Sequence, residues 1–287
     1  MTLNKNTRIL IVGLGLMGGS YAKALTRRGY RVSAITKEQS SVDYALREGI
    51  IAYGTTAIEP ELIAGSELIV FALYPHTFIE WIKENQQYFS AGTVITDLTG
   101  VKGCVVGTVQ DMLRPDVEFI AAHPMAGREL YGVEHSDDSV FRGANYIVTP
   151  TEKNTPAAIA LCEQLGRELG FYRISRLTVA EHDDMIAYLS QLTHCIAVTL
   201  MNCNDSPHMQ AYTGDSFRDL TRIAKINDVM WTELFMSNRE ALLHHMDAFE
   251  KSFDAFRQLL VNRDVEGMRA AMRAASARRA LFDKKTD

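Results

Sequence analysis

Arg8-Ile9-Leu10-Ile11-Val12-Gly13-Leu14-Gly15-Leu16-Met17-Gly18 is the stretch from which the fold can be read. Its first half is a continuous apolar run, which reads as a strand covered on both faces and hence a central parallel strand. Its second half has glycines at the spacing G-x-G-x-x-G. That spacing alone is a weak signal. Here a helix is predicted from the glycines to about Arg28, closed by Gly29. A second strand is predicted from Tyr30 to Ile35. Strand, glycine loop, helix and strand within some thirty residues are the context in which the pattern binds a dinucleotide. Gly13 permits the tight turn, Gly15 lets a pyrophosphate approach the backbone, and Gly18 lets the helix pack close to the strand. The helix N-terminus offers N–H groups and partial positive charge to phosphates. Gly13, Leu14, Gly15, Leu16, Met17 and Gly18 are therefore candidate cofactor-binding residues. A tight turn without a ligand is the plain alternative.

The second strand of such a unit ordinarily ends in an acid that binds the ribose 2′-hydroxyl of NAD. Thr36-Lys37 stand there instead. With no carboxylate to repel a 2′-phosphate and a cation beside it, NAD and NADP both stay open. Thr36 and Lys37 join the cofactor set, against the alternative that Lys37 only meets solvent.

Outward from this unit, strands alternate with helices. Strands are predicted at Leu68–Leu73, Thr93–Asp97, Phe119–Ala122, Asn145–Thr149 and Phe171–Ile174. Pro75 and Thr155-Pro156 mark helix starts. After Ser175 the pattern changes. Thr178-Val179-Ala180-Glu181 fits a capping box, opening a helix to about Asn202. Further helices are predicted at Ser216–Ala224, Asp228–Phe235, Arg239–Val261 and Val265–Phe282. Leu243, Met246, Phe249, Phe253, Phe256 and Leu260 form an apolar stripe suited to helix packing or dimerisation. The expected architecture is an α/β Rossmann-type N-terminal domain (1–175) followed by an all-α dimerisation and substrate domain (176–287).

Composition narrows the function. The chain has 287 residues and a net charge of −5, long enough for one large or two medium domains. Mild acidity argues against nucleic acid as a partner. Cys104, Cys162, Cys195 and Cys203 lack C-x-x-C spacing, which reads as reduced thiols, not a zinc site or disulfide framework. No apolar run approaches the roughly 18 residues of a membrane span, and the N-terminus lacks a signal-peptide pattern. A cytoplasmic protein is the expectation.

The residues that could carry chemistry converge on Ala122-His123-Pro124-Met125-Ala126-Gly127-Arg128-Glu129. A histidine at the carboxyl end of a buried strand sits where open α/β sheets place their chemistry. It titrates near neutrality and can take the proton that an alcohol gives up as its hydride leaves. By itself His123 supports a structural reading equally well. Asp183, Ala187, Ser190, His194 and Ala197 share one helix face of mostly small or polar residues, so His194 could point into a cleft. His182 reads as structural, with an interface or positioning role as the alternative. Arg222, among Leu220, Ile223 and Ala224, suits a carboxylate, or equally an internal ion pair.

Together these segments resemble the prephenate/arogenate dehydrogenase family. The resemblance is carried by Gly13 to Ser20, Thr96-Asp97-Leu98-Thr99-Gly100-Val101-Lys102, Ala122 to Glu129 with Tyr131-Gly132-Val133-Glu134, Ser190 to His194, and Phe217 to Ala224 followed by Trp231. It implies NAD(P)-dependent oxidative decarboxylation of a small molecule, prephenate or arogenate, by a homodimer. It implies that His123 takes the ring hydroxyl proton. His194 and Arg222 would hold substrate carboxylates, Glu129 would gate the pocket, and Trp231 would pack beside the substrate. The family often has a serine where this chain has Gly100, and the adjacent Thr99 is the expected substitute for orienting His123. With its end near Asp287, the chain is not expected to carry the regulatory or mutase domains of some relatives. Two competing readings are a β-hydroxyacid dehydrogenase or imine reductase, and a non-catalytic NADP-binding sensor. The sensor need not keep His123 together with Arg222.

Overall fold

The computed structural model describes residues 2–128 and 130–282. Six parallel strands form the first sheet in the order β3-β2-β1-β4-β5-β6. They are β1 (Ile9–Val12), β2 (Val32–Ile35), β3 (Tyr53–Thr55), β4 (Leu68–Phe71), β5 (Val94–Asp97) and β6 (Glu118–Phe119). The connecting helices are α1 (Leu16–Arg27), α2 (Gln39–Arg47), α3 (Pro60–Ala64), α4 (Pro75–Asn85) and α5 (Val106–Met112). This is the doubly wound order that places ligands at the carboxyl ends of the strands.

The unbroken apolar run of β1 has a direct cause. Ile9 and Ile11 point to one side, into a core with Tyr21 and Leu25 of α1. Leu10 and Val12 point to the other, against Phe78 and Ile82 of α4. With both faces covered, alternation with polar residues would bury unpaired polar groups. Each such side chain contributes about 1.5–3 kcal/mol on burial.

A smaller sheet follows, with β7 (Ala121–Met125) antiparallel to β8 (Asn145–Thr149) and β8 parallel to β9 (Arg173–Arg176). Helix α6 (Pro156–Leu169), capped by Thr155, packs Leu161 and Leu165 into the core on the α1 side. The strand predicted at Phe119–Ala122 is therefore two pieces. Ile120 N–H still bonds Ile95 at 3.0 Å, after which the chain leaves the parallel sheet. His123 consequently lies within β7, opposite Ile147, not beyond a strand end.

The capping box forms as predicted, with Thr178 and Glu181 bonding reciprocally at the start of α7 (Val179–Ile186). The single helix expected to Asn202 is interrupted. A π-helical turn at Ala187–Gln191 separates α7 from α8 (Leu192–Asn202). Its extra residue rotates the helix face, and Gln191 is buried while Ser190 is half-buried. π-bulges of this kind cluster at functional sites. Helix α9 (Asp215–Thr221), a 3₁₀ turn at Arg222–Ala224 and α10 (Asp228–Ser237) complete a compact unit that extends to Asn238. The remaining residues form a second unit. In it α11 (Arg239–Val261) packs against α12 (Val265–Arg279), and the stripe from Leu243 to Leu260 is exposed.

Candidate active site

Because the strands are parallel, the loops after β1, β2 and β5 open on the same edge of the sheet. Gly13 turns with φ +95°, and a Cβ there would lie 2.5 Å from the Ala72 carbonyl oxygen. A Cβ on Gly18 would run into the Gly13 carbonyl oxygen. Gly15 differs, since a Cβ there would meet nothing within 4 Å. Two glycines thus hold the turn and helix tight, and the third leaves backbone open to an approaching ligand. Gly15 is also the N-cap of α1 and offers no side chain to its N–H groups, the state that suits a phosphate. Leu14 is buried, while Leu16 and Met17 are half-buried in the first turn of α1. Thr36 accepts a hydrogen bond from Leu14 N–H at 3.3 Å, tying the end of β2 to the glycine loop. Lys37 is exposed immediately beyond it.

At the end of β5 lies a buried ion pair. Asp97 and Lys102 side chains are fully covered, and Lys102 Nζ lies 2.7 Å from Asp97 Oδ2. The same ammonium donates to the Ala122 carbonyl at 2.6 Å, and Ala122 N–H donates to Asp97 Oδ1 at 3.2 Å. The backbone just before His123 is therefore clamped to the first sheet by two opposite charges. Burial pulls the Lys102 ammonium down from its usual range, and Asp97 opposes that shift. Thr99 sits inside this cluster. Its hydroxyl bonds Asp97 Oδ2, and it accepts from Lys102 Nζ at 3.2 Å. A Cβ on Gly100 would touch only Leu234, at 3.4 Å.

The partner of the His123 ring is on α7. His123 Nδ1 lies 2.9 Å from His182 Nε2, and His182 Nδ1 lies 2.7 Å from Asp183 Oδ1. Asp183 in turn accepts from the N–H groups of Lys102 (2.8 Å) and Gly103 (2.6 Å). His182 is fully covered and His123 half-buried. Burial holds the His123 ring well below the usual imidazole range, aided by His182 and the Lys102 charge. Burial also lowers His182, although the neighbouring Asp183 carboxylate opposes the shift. Both shifts favour the uncharged rings. The expectation that Thr99 orients His123 meets a different arrangement: the Thr99 hydroxyl bonds within the ion-pair cluster, and His182 bonds the His123 ring.

The remaining predicted residues gather around α8. The rings of His194 and Trp231 lie against each other, tilted by 30°, with centroids 3.7 Å apart. His194 Nδ1 donates to the Ser190 carbonyl at 2.8 Å. The turn carrying the exposed Arg222 packs against α8. Asn238 ties these parts to the histidine pair, donating to the Asp183 carbonyl at 2.8 Å and to Gln191 Oε1 at 2.9 Å. Glu129 lies outside the described residues. Among the described residues no group of three or more His, Cys, Asp or Glu could hold a metal ion.

Sequence reasoning gave no role to Asp97 or Lys102, left Asp183 as one member of a helix face, and treated His182 as structural. A signal for the first pair was available. A carboxylate ending an apolar strand, with a lysine five residues on, must be paired if both are buried.

A doubly wound sheet with an open glycine loop, and polar side chains gathered at its carboxyl edge, defines a nucleotide-binding α/β enzyme. Family models described as prephenate dehydrogenase, nucleotide-binding domain, and prephenate dehydrogenase, dimerization domain, match residues 21–172 and 178–274. The chain belongs to the prephenate dehydrogenase family and is an oxidoreductase. A crystal structure of prephenate dehydrogenase from A. aeolicus, in complex with hydroxyphenyl propionate and NAD+, matches with 30% identity and a TM-score of 0.90, covering 99% of this chain and 100% of that one. The Bacillus subtilis prephenate dehydrogenase is 26% identical over 91% of this chain and 72% of its own length. The cyclohexadienyl dehydrogenase of Zymomonas mobilis is 29% identical over 92% of this chain and 91% of its own length.

Proposed function

We propose that the chain catalyses the NAD(P)-dependent oxidative decarboxylation of prephenate to 4-hydroxyphenylpyruvate. The observation that carries this reading is the His123 ring, clamped beside the carboxyl end of β5 in a chain of this family. Gly13, Gly15 and Gly18 with the first turn of α1 would hold the pyrophosphate, and Thr36 and Lys37 would face the adenosine ribose. The open space at Gly15 supports that fit. Bound there, the nicotinamide supplies the acceptor for the hydride on ring C4. His123 takes the proton of the 4-hydroxyl as the C4 carbonyl forms. The bond from the ring to its carboxylate then breaks, carbon dioxide leaves, and the electron pair makes the ring aromatic. The phenolate oxygen recovers the proton from His123, so the ring nitrogen is neutral again for the next turnover.

Arg222 and His194 would hold the carboxylates, and Trp231 would cover the ring beside His194. Arogenate is the second reading, favoured by the relative named for the cyclohexadiene ring that both substrates contain. A homodimer belongs to the proposal, supported by the dimerization-domain match and the exposed stripe of α11. So does a reducing, cytoplasmic setting, since all four cysteines are free thiols and burial pushes Cys104 up to about 11 and Cys162 to about 12. The test crosses prephenate and arogenate with NAD+ and NADP+ and follows absorbance of the reduced nicotinamide. Turnover with prephenate is expected. Turnover with arogenate alone favours the second reading, and no turnover in any combination refutes both.

A further inference from the structure

The hydrogen bonds around His123 fix more than its position. Asp183 accepts a backbone N–H at each of its two carboxylate oxygens. A carboxylate can only accept, so the hydrogen in its 2.7 Å contact with His182 must sit on His182 Nδ1. In a neutral His182 ring, Nε2 then carries a lone pair. The 2.9 Å contact to His123 therefore needs its hydrogen on His123 Nδ1. A neutral His123 is left with Nε2 bare.

We propose that His182 and Asp183 are positioning residues that hold His123 in its Nδ1–H tautomer, leaving Nε2 as the base. The proposal rests on the reading of His123 as the proton acceptor. It deepens that reading by naming the nitrogen and the residues that select it. The other tautomer would carry a hydrogen on Nε2 and could not take the hydroxyl proton without first losing its own. When Nε2 is protonated, the resulting imidazolium donates through Nδ1 to His182, with Asp183 the next group along. That arrangement stabilises the charge without moving a second proton. Among the described residues, the following groups act on the pair. His182 and Asp183 come from α7, and Asp97 and Lys102 come from β5 and the loop after it. The last two are ion-paired; the Lys102 charge lowers both rings, and Asp97 opposes it at His182. The order Asp183, His182, His123 follows the general rule that the far nitrogen of a functional histidine is set by the bond its other nitrogen makes.

The distinction from a merely structural contact is spectroscopic. The full-length protein labelled with 15N-histidine is examined by long-range 1H–15N correlation at pH 7.5, with His123 assigned from His123→Asn. Wild type is expected to show a protonated Nδ1 and an unprotonated Nε2 on His123. In His182→Ala the acceptor is gone, and His123 is expected to populate the Nε2–H tautomer. Its kcat should fall on the order of 10²-fold, with the dissociation constants for NAD+ and NADP+ unchanged. His182→Gln restores an acceptor oxygen near the Nε2 position and is expected to recover part of both the tautomer and kcat. An Nε2–H tautomer in wild type overturns the proposal even where no variant folds. An unchanged tautomer and kcat in His182→Ala overturns it as well. The wild-type tautomer is read without substrate. A protein with the Nδ1–H form that oxidises neither diene upholds the hydrogen-bond relay and refutes the substrate reading alone.

Discussion

Replacing Lys102 with methionine removes the cation from the cluster that clamps β7. The side chains of Lys102 and Asp97 are both 0% exposed, so Asp97 loses its counter-charge in a site that water does not reach and keeps only its bonds to Thr99 and Ala122. Breaking one member of a buried pair costs about 3–5 kcal/mol. The Ala122 carbonyl also loses its 2.6 Å donor, a loss of about 1–3 kcal/mol if no water replaces it. The two effects share one nitrogen and are not additive, so about 4 kcal/mol is the expected destabilisation, a large share of a typical domain's stability. Urea denaturation of wild type, Lys102→Met, Asp97→Asn and the double variant measures it. Asp97→Asn alone should also destabilise, because Lys102 is then the orphan. The double variant should recover part of the loss, giving a coupling energy above about 1 kcal/mol. Single variants within about 0.5 kcal/mol of wild type, or purely additive losses, would refute the reasoning.

Two further outcomes follow from the same geometry. His123 and His182 are both held below the usual imidazole value in the folded protein, so between about pH 6.5 and those lower values the unfolded chain binds more protons. Stability is therefore present above about pH 6.5 and is lost as pH falls through that window, by up to about 1.4 kcal/mol per pH unit for each ring; a Tm that is flat from pH 7.5 to 5, or a slope unchanged in His123→Asn, contradicts it. Gly18→Ala forces a Cβ onto the Gly13 carbonyl and should cost about 1–3 kcal/mol of stability, whereas Gly15→Ala should keep the Tm and weaken NAD(P)+ binding in calorimetry. Equal effects of the two substitutions on Tm would remove the assigned division of roles.

The parallel sheet was legible because burial on both faces leaves a run such as Ile9–Val12, and because glycines at three fixed offsets leave a chemical signature. The edge strand Tyr53–Thr55 was not, since three residues on a sheet edge need no apolar run. The break at Ile120 was also hidden, because Phe119 through Ala122 are apolar whether they continue one strand or change sheets. At the break the Ala122 N–H goes to Asp97, a side chain distant in sequence, instead of to a strand carbonyl. His123, His194, Arg222 and Trp231 were nominated from local pattern and resemblance. The partner of His123 was not, because a bond between residues 59 apart depends on where α7 packs. The π turn had the same cause: nothing in Ala187–Gln191 departs from helical pattern, and the insertion is stabilised by tertiary contacts such as that of Gln191 with the Leu234 carbonyl at 2.8 Å.

The central claim is that His123 takes the proton as a cyclohexadienyl alcohol is oxidised. The most direct measurement is kcat of His123→Asn with prephenate, beside the dissociation constant for the oxidised cofactor on the same preparation. Asparagine keeps a polar group of similar reach but cannot hold a transferred proton. A fall in kcat of roughly 10²–10⁴-fold with cofactor binding unchanged is the predicted result. Turnover close to that of wild type, with His123 replaced, would contradict the account.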